Sequence, residues 1–285
     1  MSAALPVHAM TVDVEDWFQV QAFASVIDIS AWETLPRRVE ANTDRLLAMF
    51  EAAGVRGTFF TLGWVAKRHP ALVRRIVSGG HELASHGFWH QRVDGQTPEV
   101  FLEDVTAARH VLEDAGGVRV RGYRAPTFSI GPRNGWAWDV LAQAGYDYSS
   151  SVYPVRHDLY GTPDAPRFAW RPRGEAGVLE IPMTTLRVRG RNLPCSGGGF
   201  FRLLPYALFR LGLRRFQATE RQSGLFYIHP WEIDPGQPSV AGASARSRFR
   251  HRVNLGAAAG RLQHLLRDFA WDRLDRIFAA QLETA

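Results

Sequence analysis

Three acids, Asp13, Glu15 and Asp16, stand where the apolar run Val7–Val12 ends, and two histidines spaced i, i+4, His86 and His90, stand after the strand-like run His81–Ser85. Imidazoles at that spacing come to one side of a single helical turn. Adding a carboxylate from the first strand makes a facial site for a divalent transition metal, with positions left open for water and substrate. Clustered acids at the end of an apolar strand raise one another's pKa unless positive charge is near, and a metal together with Arg124 would supply it. Two further polar groups close apolar runs: Arg124-Ala-Pro126, and His229-Pro-Trp231-Glu232. Other reactive residue types read as bland. His69 and His81 sit beside Pro or Gly turns and suit surface or capping roles. Cys195 has no paired histidine in sequence, and Gly197–Gly199 lacks the Lys-Ser/Thr of a phosphate loop.

The elements that position these groups alternate. Strand-like runs are Val7–Val12, Thr58–Thr61, His81–Ser85, the stretch around Gly122, Tyr146–Val152 and Gly224–His229. Between them lie helical patterns at 40–53, Pro70–Ser78, 98–114, Trp136–Ala144 and Pro205–Arg215, several closed by glycine. Strand and helix succeed one another every 20 to 35 residues or roughly so, the mark of a parallel α/β fold, open or closed into a barrel. In such folds reactive groups gather at the carboxyl ends of strands, and the candidate residues fall there. A stretch rich in Pro, Arg and Gly at 154–200 reads as a loop-rich insertion holding the strand-like Val178–Pro182. Residues 236–248 read as a loop, and 257–268 as an amphipathic helix within a C-terminal helical extension, 249–285. No composition break marks a linker, so residues 1–285 are expected to form one domain.

Composition narrows the function. Of 285 residues 46% are hydrophobic, enough for a sizeable core and against global disorder. The net charge of +6 is carried by 34 basic residues, among which Lys67 is the one lysine. The arginines are scattered and form no nucleic-acid module, so nucleic acid is not an expected partner. One cysteine precludes an intrachain disulfide or a CxxC zinc knuckle. The N-terminal residues lack the charged and apolar regions of a signal peptide, and Pro205, Arg210 and Arg214 interrupt the most apolar window. The expected location is cytoplasmic, with peripheral attachment to the inner membrane left open.

Taken in order, Thr11-Val-Asp13-Val-Glu15-Asp16, His81-Glu-Leu-Ala-Ser-His86-Gly-Phe-Trp-His90, Arg124-Ala-Pro126-Thr-Phe128 and Leu225-Phe-Tyr-Ile-His229-Pro-Trp231 resemble the NodB-type polysaccharide deacetylases, carbohydrate esterase family 4. Leu193–Arg202 and Phe249–Leu255 add a closer likeness to the branch found with exosortase and exopolysaccharide loci. The resemblance implies an irregular (β/α) barrel of about seven parallel strands. It implies metal-dependent removal of N-acetyl groups from GlcNAc-type residues of an exopolysaccharide or its precursor, with zinc, or cobalt or another transition metal, as cofactor.

In residue terms, the resemblance makes Asp13 the general base, His86 and His90 metal ligands, Arg124 the residue that holds and tunes Asp13, and His229 the general acid for the leaving amine. Amide hydrolysis calls for the same set: an activated water, stabilisation of the oxyanion and protonation of a poor leaving group. The family signature has adjacent aspartates. Here alternation puts Glu15 on the side of Asp13 while Asp16 matches in residue type, so both stay open as the third ligand. Ser149 stands where related chains often carry Asp, so that an orienting partner for His229 is either missing or supplied by Asp147, Glu232 or Asp234. Trp89, Pro126, Phe128 and Trp231 are candidates for contact with an N-acetylhexosamine glycan, and Arg187, Arg189, Arg191 and Arg202 for a charged one. The alternatives are an O-deacetylase or small-amide hydrolase with the same site, and a catalytically weak glycan-binding module.

Overall fold

The structure is a computed structural model describing residues 5–283; positions 1–4 and 284–285, the ends of the expected 1–285 span, lie outside the described residues. Its strands are β1 (His8–Val14), β2 (Thr58–Thr61), β3 (Glu82–Ser85), β4 (Gly122–Tyr123), β5 (Tyr148–Ser149), β6 (Leu179–Glu180), β7 (Thr185–Val188), β8 (Arg191–Pro194), β9 (Leu225–Ile228) and β10 (Trp271–Asp272). The helices α1 (Val39–Ala52), α2 (Gly63–Arg68), α3 (Pro70–Ser78), α4 (Pro98–Gly116) and α5 (Trp136–Gln143) alternate with the first strands. After the β7–β8 hairpin come α6 (Gly198–Leu203) and α7 (Tyr206–Glu220), and after β9 come α8 (Ala245–Arg252), α9 (Leu255–Asp268), α10 (Leu274–Ile277) and α11 (Ala279–Glu283).

Eight of the strands form one parallel sheet in which β1 is central. Ala9 pairs with both β9 and β10, whereas Thr11 and Val12 pair with β9 and β2. Hence β10 and β2 lie in tandem along one edge of β1, and the sheet runs on through β3, β4 and β5 to β6. It curls into a half-barrel. Segment 183–197 spans the remaining gap: Met183 N–H donates to Val152 O at 2.9 Å, and Tyr227 N–H on β9 donates to Ser196 O at 2.8 Å.

Alternation along β1 sorts its side chains. Met10, Val12 and Val14 point outward into the core shared with α1 and α9, packing with Leu46, Phe50 and Leu262. Ala9 joins the barrel interior with Phe60, Ala84, Tyr148 and Tyr227, and Thr11 and Asp13 share its parity, so that Asp13 reaches the carboxyl-end rim. Pro at the first position of α3 and α4, and the Thr97 side chain accepting from Val100 N–H, start two of the helices.

Four readings change. His86 and His90 are not on a helical turn but in the loop after β3, where Gly87 has φ +76° and His90 φ +54°. Residues 245–248, read as loop, belong to α8. The stretch 154–200 contributes β6 to the main sheet and carries the β7–β8 hairpin and the start of α6. His81 is buried rather than superficial, its Nδ1 accepting from Gly57 N–H at 3.1 Å.

Phe60 is fully buried beneath the Arg124 guanidinium, which lies 4.0 Å from the ring centroid. Phe60→Ala is expected to cost about 3–5 kcal/mol in a urea denaturation series through lost burial and the cavity left behind.

Candidate metal and acid-base centre

The carboxyl ends of β1, β3, β4 and β9 deliver Asp13, His86, Arg124 and His229 to one rim. Arg124, wholly buried, donates from Nη1 to Asp13 Oδ1 at 2.6 Å and to Thr11 Oγ1 at 2.9 Å. Its Nε donates to Ser150 O and its Nη2 to Ser150 Oγ, both at 3.1 Å. One oxygen of Asp13 is thereby fixed and the other, Oδ2, faces His229 Nε2 at 3.8 Å.

Glu15, His86 and His90 form the third corner. One ligand atom from each lies within 4.8 Å of the others. The Nδ1–H of His86 donates to Arg124 O at 2.8 Å, which leaves Nε2 with its lone pair. Burial also pushes the His86 pKa down to about 4, keeping the ring neutral, as a metal ligand must be. His90 Nε2 is 2.7 Å from Glu15 Oε2, yet that oxygen is buried without a hydrogen bond of acceptable geometry. Two imidazoles and an orphaned carboxylate oxygen fit a divalent ion. Burial alone would raise the Glu15 pKa, but His90 and His229 hold it far below the usual carboxylate range.

The Asp16 reading is corrected. Its Oδ1 accepts from Trp17 N–H at 2.9 Å, and its Oδ2 accepts from Arg38 N–H and Val39 N–H at 2.8 and 3.0 Å, tying down the start of α1. Both oxygens are engaged away from the histidines. Burial lifts its pKa to about 6 against those hydrogen bonds.

His229 is oriented from behind. Its Nδ1 lies 2.7 Å from Glu232 Oε1, whose other oxygen accepts from Arg202 Nε at 2.6 Å. Burial works against protonation, but Glu15 and Glu232 prevail and raise the His229 pKa to about 9. Of the three acids considered for this place, Asp147 binds Arg119 and Arg121, and Asp234 binds Arg38 and Asn42. Ser149 instead bonds Ser151 at 2.8 Å. The buried Arg202 reaches the carbonyls of Arg250, His251 and Val253, so it does not line a cleft. Its role was missed because the sequence places it in one group with Arg187, Arg189 and Arg191, which suits a solvated basic face; Glu232 was one of three acids open for His229.

These groups open on a cavity of about 470 Å³ lined by Asp13, Glu15, His86, His90 and His229 and walled by Phe128, Leu159, Tyr160 and Phe249. Phe128 is brought to it. Pro126 is buried in the turn beneath, and Trp89, 37% exposed, faces a separate depression. Trp231 borders the cavity, but its ring stacks with His229 at 5.0 Å and with His251 at 4.3 Å, and its Nε1–H donates to Glu15 Oε1. It buttresses the acids and offers no free face for a sugar. Cys195 is buried, and burial pushes its thiol up to about 12.

The fold is a parallel α/β half-barrel whose rim sets a two-His, one-Glu cluster beside an arginine-held aspartate and a carboxylate-held histidine. Residues 28–149 match the family model "Polysaccharide deacetylase", and residues 150–279 match "Domain of unknown function (DUF3473)". A chitooligosaccharide deacetylase from Bradyrhizobium is 37% identical over 89 residues, 31% of this chain and 38% of its own length. The chain spans well under half the length of the first two curated relatives it matches, 38% and 36%. The crystal structure of a Mycobacterium smegmatis protein assigned to the polysaccharide deacetylases superposes with a TM-score of 0.61 at 20% identity, over 98% of this chain and 94% of that one. The peptidoglycan deacetylase of Bacillus subtilis gives 0.51 at 12%, over 99% and 95%, a likeness of fold.

Metal analysis of purified protein separates the acids. Glu15→Gln and His86→Ala/His90→Ala are expected to lose a reconstituted zinc or cobalt ion, whereas Asp16→Asn retains it and is destabilised by about 1–3 kcal/mol through its broken cap. Metal lost from the Asp16 variant alone would reverse the assignment.

Proposed function

We propose that this chain is a zinc-type N-deacetylase acting on GlcNAc-type residues of an exopolysaccharide or its precursor. The observation that carries the reading is that Asp13 Oδ2 and His229 Nε2, 3.8 Å apart, open on the same cavity as the Glu15, His86 and His90 cluster. Imidazole and carboxylate donors with open positions suit zinc, with cobalt as an alternative. Such an ion, when bound, lowers the pKa of water and polarises an acyl carbonyl.

The chain's own residues do the rest. Arg124 locks Asp13 Oδ1, so Oδ2 is the atom that accepts a proton from the attacking water. His229, held charged by Glu232, carries the proton at Nε2 that the leaving amine nitrogen requires. An amine is a far poorer leaving group than an alcohol without that proton, which supports N- over O-deacetylation. Phe128 and Tyr160 close the cavity beside these atoms.

The likeness to the exosortase and exopolysaccharide branch, with the apolar mouth formed by Leu159, Leu203 and Phe249, supports work on exopolysaccharide assembly at the cytoplasmic side, peripheral to the inner membrane. No helix of the described residues is long and apolar enough to cross a membrane.

The test is acetate release paired with free-amine detection on N-acetylglucosamine oligomers, with and without metal. Equal amounts of both products, abolished by chelation, are expected; acetate without amine would make the chain an O-deacetylase, and glycan binding without either product a binding module. Asp13→Asn is expected to lower kcat by at least about a hundredfold while keeping metal bound.

The pH profile supplies a further check. His229 donates in its charged form, so the rate falls as pH rises through its pKa. Glu232→Gln removes a group that raises this pKa, and the alkaline limb of kcat/KM is expected to move to lower pH. An unmoved limb would remove His229 from the acid role.

A further inference from the structure

The catalytic cavity does not end at the metal cluster. It shares Phe128, His157, Leu159 and Tyr160 with a neighbouring depression of about 800 Å³. That depression in turn shares Pro163–Pro166 with a third, of about 1030 Å³, beneath the β7–β8 hairpin. Segment 155–166 thus borders all three depressions, the first of which holds Asp13 and His229.

Charge is distributed unevenly along it. In the middle, Arg92 is paired with Asp94, Asp158 is paired with Arg246 and Arg250, and Arg133 alone among the arginines there has no partner within the described residues. The far end carries more. Arg156, Arg187 and Arg191 line it, and none of the three guanidinium groups makes a hydrogen bond or ion pair with the rest of the described chain. Arg167, also present there, is spent on Glu220 and Thr185, and the sole carboxylate on the wall is Asp164. The walls are pinned: Arg167 Nη2 donates to Thr185 O at 2.7 Å, and Asn192 Nδ2 donates to Pro163 O at 3.4 Å. Unpaired guanidiniums along the border of one depression focus there a positive potential that an anion relieves. The planar fork of arginine matches carboxylate and phosphate.

We infer that this arginine-lined depression is a subsite for acidic groups on the glycan, carboxylate or phosphate, carried by residues several sugars away from the one being deacetylated. The inference rests on the glycan reading above and adds the substrate class: an acidic N-acetylhexosamine polymer rather than a neutral one. Anchoring the chain at a distance positions one N-acetyl group at Asp13 and His229, without any sugar having to stack on Trp231.

The experiment is calorimetric binding of three probes to the full chain: hyaluronan oligosaccharides, which alternate glucuronate and N-acetylglucosamine; a polyglycerol phosphate oligomer; and neutral N-acetylglucosamine oligomers of the same length. Wild type is expected to prefer one or both acidic probes by about tenfold or more at low salt, and which of the two identifies the anion. The preference is expected to shrink toward unity at about 0.5 M salt and in Arg156→Ala/Arg187→Ala/Arg191→Ala, and to be partly restored by lysine at the same positions. All three residues are exposed, so the fold is not at stake. Equal affinity for all probes, or a preference untouched by the triple variant, would overturn the inference. A salt-sensitive, arginine-dependent preference in a protein that releases no acetate would leave the subsite standing and remove the deacetylase reading. Deacetylation of neutral oligomers with no acidic preference would do the reverse.

Discussion

A guanidinium with no access to solvent is the constraint around which the site is organised. Burying a charge is costly unless its hydrogen bonds are made, and Arg124 makes them to Asp13, Thr11 and Ser150. Those partners come from β1 and from the residue following β5, so satisfying one side chain draws two distant strands of the half-barrel to the same rim. Its backbone is used as well. Arg124 N–H donates to Ser85 O, and Arg124 O accepts from His86 Nδ1. The same residue therefore sets the orientation of the candidate base and the tautomer of a candidate ligand. Removing the guanidinium would strand Asp13 as an uncompensated buried carboxylate, which explains why the pair is tied to the barrel interior rather than to a loop.

A second buried arginine repeats this logic on the acid side. Arg202, from α6, holds Glu232, and Glu232 holds His229. Arg202 also gathers the carbonyls at the end of α8, so the wall that carries Phe249 is fastened to the same carboxylate. The site is composite along the chain: Asp13 and Glu15 precede the stretch matched to the polysaccharide deacetylase model, His86, His90 and Arg124 lie within it, and Arg202, His229 and Glu232 lie in the stretch matched to a domain of unknown function. Neither matched range holds both the aspartate and the histidine that flank each other beside the cluster. The acid-base pair exists because β9 adds to the edge of β1.

What could be read from the sequence follows element length and the range of the forces involved. The β1 to α1 step and the helices α3, α4 and α5 carry enough residues for period and caps to show. The two-residue strands β4, β5, β6 and β10 have no period, and β10 pairs only because β2 begins too late to cover His8 and Ala9. The i, i+4 spacing of His86 and His90 was a sound pointer to proximity but not to conformation. A helical turn is ruled out by Gly87 and His90 at positive φ, and the rings meet because the loop folds back instead. Glu15 and Asp16 could not be separated from sequence, since the decision depends on where β1 stops. Alternation through Val14 keeps Glu15 on the side of Asp13, and the turn that follows releases Asp16 to α1.

The balance of charge in the cavity bears on how the centre can work. Asp13, Glu15 and Glu232 are countered by Arg124, Arg202 and the protonated His229, so the described residues are near neutrality before any ion is added. A divalent ion would therefore enter as net positive charge in a cavity whose remaining wall is largely apolar, where its field would be weakly screened. That is the setting in which a developing oxyanion is stabilised most. With such an ion bound, the same surplus would attract an acidic chain, in agreement with the arginine-lined depression at the far end.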